Sequence, residues 1–358
     1  MKNNFSNILI RVPNWLGDSM MATPTVTAVW KMFPKARITI LGKQVFTDFW
    51  KSFPGVDEFM PYERGFRGFW NTVSRIKQKQ FDAALILPTS FSSAFSVFAA
   101  EVPVRIGVGG EGRDMFLTDV VPRSHPRKKH LVFEYLDLAQ KGFEISLKGG
   151  ERVKLHCPVT PEAKRGLTTV WKDTGVHGTA FIALAPGATY GEAKRWPLTH
   201  WKELIQKLLA ERKESILILG GLEEEEYLKP LLAVGTNSQQ TNRLHLLAGR
   251  TSPMILGSML AHCKLLITND TGPMHVAAAV GTPTVALFGS TSPTWTRPFG
   301  LGHEVIYHHV ECSPCFQKTC PIGYICLNKI SVDEVLKTAL KKLKNPRKIQ
   351  PEKLPKSI

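Results

Sequence analysis

Short runs of β-branched and aliphatic residues, each followed by a stretch of helical period, recur along the whole chain, and this alternation leaves few folds open. Strands joined by helices run parallel, because a helical crossover carries the chain back to the starting end of the sheet. In the first half the expected strands are 7–12, 37–41, 83–87 and 105–108, with helices over 69–79, 92–100 and 131–141. The second half repeats the logic, with strands over 181–185, 215–219, 243–247, 264–268 and 284–288. Between the halves, residues 146–161 mix Lys, Gly, Glu and Pro with little helical period, and the interdomain link is expected there. The reading is α/β: two tandem Rossmann-like, doubly wound domains facing across a cleft, over 1–160 and 161–340, followed by a frayed basic tail over 341–358.

Charge narrows the partners. Lys and Arg number 46 against 30 Asp and Glu, a formal net charge of +16, which favours an anion without saying which. A nucleic-acid-binding protein would interleave its basic residues with aromatics on one face, whereas here they are scattered among loops and the tail, so nucleic acid is not the expected partner. Residues 1–10 hold one Lys and a short apolar run stopped by Arg11, which is no secretory signal, and a cytoplasmic placement follows. The most apolar long window, 274–288, is broken by Gly281, Thr282 and Pro283, so membrane contact is expected to be peripheral.

In open α/β sheets ligands bind at the carboxyl ends of the strands, so the loops after the strands are where chemistry is sought. The chain has no Walker loop and no Gly-x-Gly-x-x-Gly after its first strand, which argues against an ordinary ATPase or dehydrogenase. Instead, strand 264–268 turns through Asn269-Asp270-Thr271-Gly272-Pro273-Met274-His275 into a helix with Pro in its first turn. The amides of Thr271, Gly272 and Met274, together with the helix dipole, suit a diphosphate. After strand 181–185 comes a loop with Thr189, Lys194 and Arg195, whose two cations suit a leaving diphosphate or are simply solvated. After strand 284–288, Gly289-Ser290-Thr291 offers a close backbone approach and hydroxyls. Glu224 lies in a Glu run after Gly220-Gly221, where it either caps a helix or meets ribose hydroxyls. In the first half, Arg11-Val12-Pro13-Asn14-Trp15-Leu16-Gly17-Asp18 is a strand end, a Gly turn and a carboxylate at the mouth of a helix. The residues alone admit Asp18 as an N-cap or as a general base.

Three segments together carry a resemblance: Trp15-Leu16-Gly17-Asp18-Ser19-Met20-Met21, Ala193-Lys194-Arg195-Trp196-Pro197, and 269–278 beginning Asn269-Asp270-Thr271-Gly272. On these the chain resembles, nearly end to end, the bacterial ADP-heptose:lipopolysaccharide heptosyltransferases, and most of all their heptosyltransferase II branch. The resemblance implies a metal-independent, inverting GT-B transferase that moves heptose from ADP-heptose to the heptose-Kdo inner core of lipopolysaccharide. It makes Asp18 the base and Lys194 a donor-phosphate ligand. It also places Asp270, Thr271 and Gly272 in the donor loop and Glu224 at the adenosine ribose. Thr189, Arg195, His275, Gly289 and Ser290 complete the expected donor side. Asn14, Trp15, Arg64, Arg67 and Arg113 form the expected acceptor side, where Arg grips carboxylate and phosphate. The competing readings are heptosyltransferase I or another nucleotide-sugar enzyme on the same architecture. No cofactor is required for transfer. Cys312, Cys315, Cys320 and Cys326 nevertheless crowd into one stretch with a spacing compatible with a structural zinc or an iron–sulfur cluster.

Overall fold

The computed structural model describes residues 5–122, 127–144, 151–178, 180–234, 240, 242–345 and 349–353. The chain divides into one unit spanning Met1–Pro158 with Lys353–Ile358 and a second spanning Val159–Glu352. Parts of the expected link, 146–150, and of the expected tail, 346–348 and 354–358, lie outside the described residues.

The first unit is built on β1 (Asn7–Arg11), β2 (Arg37–Gly42), β3 (Glu58–Pro61), β4 (Ala83–Ile86), β5 (Val104–Val108) and β6 (Asp119–Val121), in the order β3-β2-β1-β4-β5-β6. Every pairing is parallel, with Ile10 opposite Ile40 on one side and Leu85 on the other. That order reverses direction beside β1, so the loops after β1 and β4 diverge and open a crevice at the carboxyl end of the sheet. Ile8, Leu9 and Ile10 are wholly buried, as are the four residues of β4, because helices cover both faces of a parallel sheet.

After the short β7 (Arg152–Val153), the second unit opens with the helix Pro161–Thr174, whose N-cap Thr160 hydroxyl accepts from the Ala163 amide at 3.2 Å. Its sheet repeats the first: β8 (Phe181–Ala185), β9 (Ser215–Ile218), β10 (Leu244–Leu246), β11 (Cys263–Asn269), β12 (Thr284–Phe288) and β13 (Glu304–Tyr307), in the order β10-β9-β8-β11-β12-β13. All five pairings are again parallel. Its core packs Trp196, Trp201, Leu204 and Leu208 against Ile182, Leu184, Ile216 and Ile218.

Two expectations need correction. β3, β6 and β13 are not visible in the apolar pattern, because each is a short edge strand carrying charge or Pro, as with Glu58, Asp119 and Glu304. The basic tail does not begin at 341. A helix spans Val332–Lys344 and buries Val332, Val335, Leu336 and Ala339, while Lys341, Lys342 and Lys344 occupy its last turn, where the dipole favours cations. Beyond it, Glu352 accepts from Arg297 at 2.7 and 2.9 Å and from the Gly300 amide at 2.8 Å. The lysines dominate the composition of this segment, but its apolar stripe decides its structure.

Leu336→Ala therefore costs the second unit about 2–4 kcal/mol in urea unfolding, the range for a truncated core leucine. A frayed segment would show no change.

Candidate active site

In the second unit four strands end on one rim. β11 ends in Asn269, which is wholly buried and ties two loops together. Its amide nitrogen donates to the Pro186 carbonyl at 2.5 Å, and its side-chain oxygen accepts from the Trp196 amide at 3.2 Å. The loop from β8 is thus held across the end of β11. Asp270 follows, and its buried carboxylate accepts from Lys194 Nζ at 2.7 Å and from Thr291 Oγ1 at 2.7 Å. Burial alone would raise the Asp270 carboxyl, but the Lys194 charge and the hydrogen bonds from Lys194 and Thr291 outweigh it, so its pKa lies below the ordinary carboxylate value. Lys194 Nζ also stands 4.9 Å from the centre of the Tyr190 ring.

Thr271, extended, is the N-cap of the helix Gly272–Val280, with Pro273 in the first turn and no acidic residue there. No side chain caps this end. The helix start thus presents amide donors and positive dipole next to the Lys194–Asp270 pair. The expectation for Met274 is corrected, because its N–H is taken by the Thr271 carbonyl at 3.1 Å. His275 is buried on the same helix, near enough that a proton on its ring would favour the Asp270 carboxylate. At the end of β9, Glu224 is buried, and one carboxylate oxygen accepts from the Gly221 amide at 2.9 Å. Its other oxygen, Oε1, has no hydrogen-bond partner among the described residues and lies against Gly187, where an added Cβ would come within 2.3 Å of it. Glu224 is therefore both a cap and an unspent acceptor facing the β8 loop.

Arg195 does not join Lys194 on the rim. Its guanidinium lies 4.5 Å over the Tyr227 ring, with Nε buried and unpaired. Thr189 is exposed on the preceding turn. Gly289 makes its close approach to protein, since a Cβ there would sit 2.6 Å from Leu327 and 3.0 Å from the Cys326 sulfur. Ser290 is buried, its hydroxyl is unpaired and its carbonyl accepts from the Phe316 amide at 2.8 Å. Of the loop after β12, it is Thr291 that reaches the ion pair.

In the first unit the loop after β1 is set by Arg11, a buried arginine whose Nη2 donates to Asn14 Oδ1 at 2.8 Å and whose Nη1 donates to the Val12 carbonyl. Its guanidinium stands 4.5 Å over the Tyr62 ring, and burial pushes its pKa down to about 10. Asp18 is not the N-cap of the helix Leu16–Met32. That position is Trp15, and Asp18 lies half-buried in the first turn, where the dipole stabilises its ionised form. Lys43 Nζ lies 5.3 Å over the Trp15 ring, and burial, then Arg64, then Arg11 lower its pKa. Arg64 and Arg67 are exposed and make no ion pair among the described residues. Arg113 is corrected: it is buried rather than on a solvated loop. Its Nη1 donates to the Pro88 carbonyl at 2.6 Å, and Nε and Nη2 are unpaired. Arg11 and Lys43 escaped the reading of the sequence as site residues. An arginine closing the apolar run Ile8-Leu9-Ile10 was the available signal for Arg11.

The four clustered cysteines are all free thiols. Among the described residues no three His, Cys, Asp or Glu side chains are placed to hold a metal ion. Cys312 is exposed while Cys326 turns into the core, where burial first and the other three cysteines second raise its pKa. What the segment does is brace the rim. Phe316 and Lys318 carbonyls accept from Tyr190 Oη at 2.8 Å and from the Ala193 amide at 2.9 Å, and Ser313 Oγ donates to the Gly289 carbonyl.

Residues 69–325 match glycosyltransferase family 9 (heptosyltransferase). The chain is similar to the lipopolysaccharide heptosyltransferase 2 of Salmonella typhimurium, 32% identical over 316 residues covering 85% of this chain and 90% of that protein. It is also similar to the lipooligosaccharide heptosyltransferase 2 of Campylobacter jejuni, 29% identical over 342 residues covering 94% and 98%. The solved structure of E. coli ADP-heptose lps heptosyltransferase II aligns with a TM-score of 0.80 at 28% identity, over 95% of this chain and 99% of that one.

Because the Asp270 pKa is depressed, the stabilisation from its ion pair is fully present above the ordinary carboxylate pKa and is lost as pH falls through the native value. Asp270→Asn is expected to cost about 3 kcal/mol at neutral pH, the loss from breaking a buried pair, with the gap to wild type closing in acid. Urea unfolding across pH checks this; a gap that does not change with pH would contradict it.

Proposed function

The chain belongs to glycosyltransferase family 9 and is a heptosyltransferase of lipopolysaccharide or lipooligosaccharide core synthesis, and from that premise we propose the type II reaction, with inversion at the transferred carbon. In this reaction the heptose of ADP-heptose passes to a hydroxyl of a heptose already on the inner core. The observation that carries the reading is the Lys194–Asp270–Thr291 cluster beside the uncapped helix start at Thr271. It is a rim on which the Lys194 cation is oriented by a buried carboxylate beside free amide donors.

In the proposed step Asp18 takes the proton from the acceptor hydroxyl as its oxygen attacks the anomeric carbon from the side opposite the ADP. A carbon–oxygen bond forms to the acceptor, the bond to the diphosphate breaks, and ADP departs with the electron pair. Lys194 and the amides at Thr271 and Gly272 meet the charge that grows on the diphosphate, where preorganised donors are most effective. The unpaired Glu224 Oε1 accepts from the adenosine ribose hydroxyls. Asn14 and Trp15 flank Asp18 in sequence, and exposed Arg64 and Arg67 take the anionic groups of the core. Among the described residues no helix is long and apolar enough to cross a membrane. We place the reaction at the cytoplasmic face of the inner membrane, with the protein peripheral to it.

Asp18→Asn is expected to keep ADP affinity and the fold while lowering turnover at least about 100-fold. Near-normal turnover would remove Asp18 from the base role. Lys194→Ala is expected to weaken donor binding and turnover together, and unchanged kinetics at low and saturating donor would reject its assignment. ADP release measured with core acceptors bearing no heptose or one heptose tests the branch: the type II reading requires the latter. Thermal shifts with ADP, UDP and GDP test the nucleotide, with ADP expected to stabilise most.

A further inference from the structure

One face of the first unit is aromatic and open to solvent. The helix Gly65–Gln78 carries Phe66, 81% exposed, and Trp70, 44% exposed, four residues apart and so on one side. The helix Phe91–Ala99 carries Phe91 and Phe98, 51% and 41% exposed, with Phe95 between them on the same side. The rings form one connected patch. Trp70 lies 6.4 Å from Phe66 and 6.3 Å from Phe95, while Phe91 and Phe98 stand 4.9 and 5.1 Å from Phe116 beneath them. A connected exposed aromatic surface of this kind marks an interaction site rather than ordinary surface.

Its rim is basic. Arg64 caps the first helix and Arg67 follows in its first turn, both exposed and without ion pairs among the described residues. Arg105 lies 5.5 Å over the Phe98 ring. The acids that flank these helices are engaged, Glu63 by Arg75 at 3.7 Å and Glu101 by Lys77 at 2.5 Å. The fold thus gathers Arg64, Arg67 and Arg105, scattered in sequence, around one aromatic face.

We propose that this face docks on a bilayer containing anionic lipids. Phe and Trp seat at the boundary of headgroup and acyl chain while arginines meet lipid phosphates, which is the composition of an interfacial surface. A second copy of the chain fits less well, because a symmetric contact would bring the basic rims together. Nucleic acid fits less well, because the face is chiefly apolar with arginines only at its edge, whereas a strand needs a groove of cations along its backbone. The proposal rests on the reading of a lipid-anchored acceptor only for its purpose, since it makes the membrane the place where enzyme and acceptor meet.

The test is cosedimentation of the full chain with phosphatidylethanolamine–phosphatidylglycerol vesicles, against phosphatidylcholine vesicles, without donor or acceptor. Binding to the anionic vesicles is expected, weakening with salt. A Phe66→Ser, Trp70→Ser, Phe98→Ser variant is expected to lose binding about tenfold or more. It should keep its ADP affinity and its turnover on a deacylated, water-soluble acceptor, and lose turnover on a vesicle-embedded one. Phe66→Ser alone, at the most exposed ring, shows a smaller loss in the same direction and guards against misfolding of the triple variant. Vesicle binding by the variants equal to wild type overturns the proposal. So does wild-type binding to an oligonucleotide but not to vesicles, or a dimer that the substitutions convert to monomer. Failure of heptose transfer with vesicle binding intact would sink the enzymatic reading and leave this one standing.

Discussion

The rim of the second unit depends on one buried ion pair. Lys194 comes from the loop after β8, Asp270 from the end of β11 and Thr291 from the loop after β12, and all three meet at a single carboxylate oxygen. A charge taken out of water is stable only when paired and hydrogen-bonded, so the carboxylate fixes where three loops can stand. The same bond leaves the ammonium held in one place, with the uncapped helix start beside it. Positive charge that is already oriented costs no reorganisation when negative charge develops next to it. A cation on a free loop would lack that property.

The segment that carries the four cysteines also reaches this rim, through hydrogen bonds to the loops that carry Tyr190, Ala193, Gly289 and Ser290. Cys326 is packed under Gly289, where an added Cβ would come within 3.0 Å of its sulfur. The segment braces the rim from outside while Asn269 ties it from within. The first unit uses a different device. Arg11, buried at the end of β1, clamps the chain just before Asp18, and its hydrogen bond to Asn14 sets the turn into the helix.

The aromatic face of the first unit lies on helices that also bear Arg64 and Arg67. Apolar rings left in water are unfavourable unless something covers them, and a charged rim selects what does. Arg64 and Arg67, both at the start of one helix, put positive charge at the edge of that face.

The sequence by itself determined the architecture, because alternating apolar strands and helical periods admit only parallel sheets, and it placed Asp18, Lys194, Glu224 and Asp270 in loops at strand ends. Those features are local: period, turn residues and strand termini are written within a few positions of one another. It did not show the edge strands β3, β6 and β13, whose short charged runs carry no apolar pattern, nor the ordered helix Val332–Lys344 within a lysine-rich stretch. Only the tertiary structure decided that Lys194 pairs with Asp270, that Arg195 turns to Tyr227, that Arg113 is buried, and that Ser313, Phe316 and Lys318 brace the rim. Each of these depends on which loops the sheet order sets side by side, and a contact between residues 76 positions apart, as for Lys194 and Asp270, leaves no trace in either local pattern.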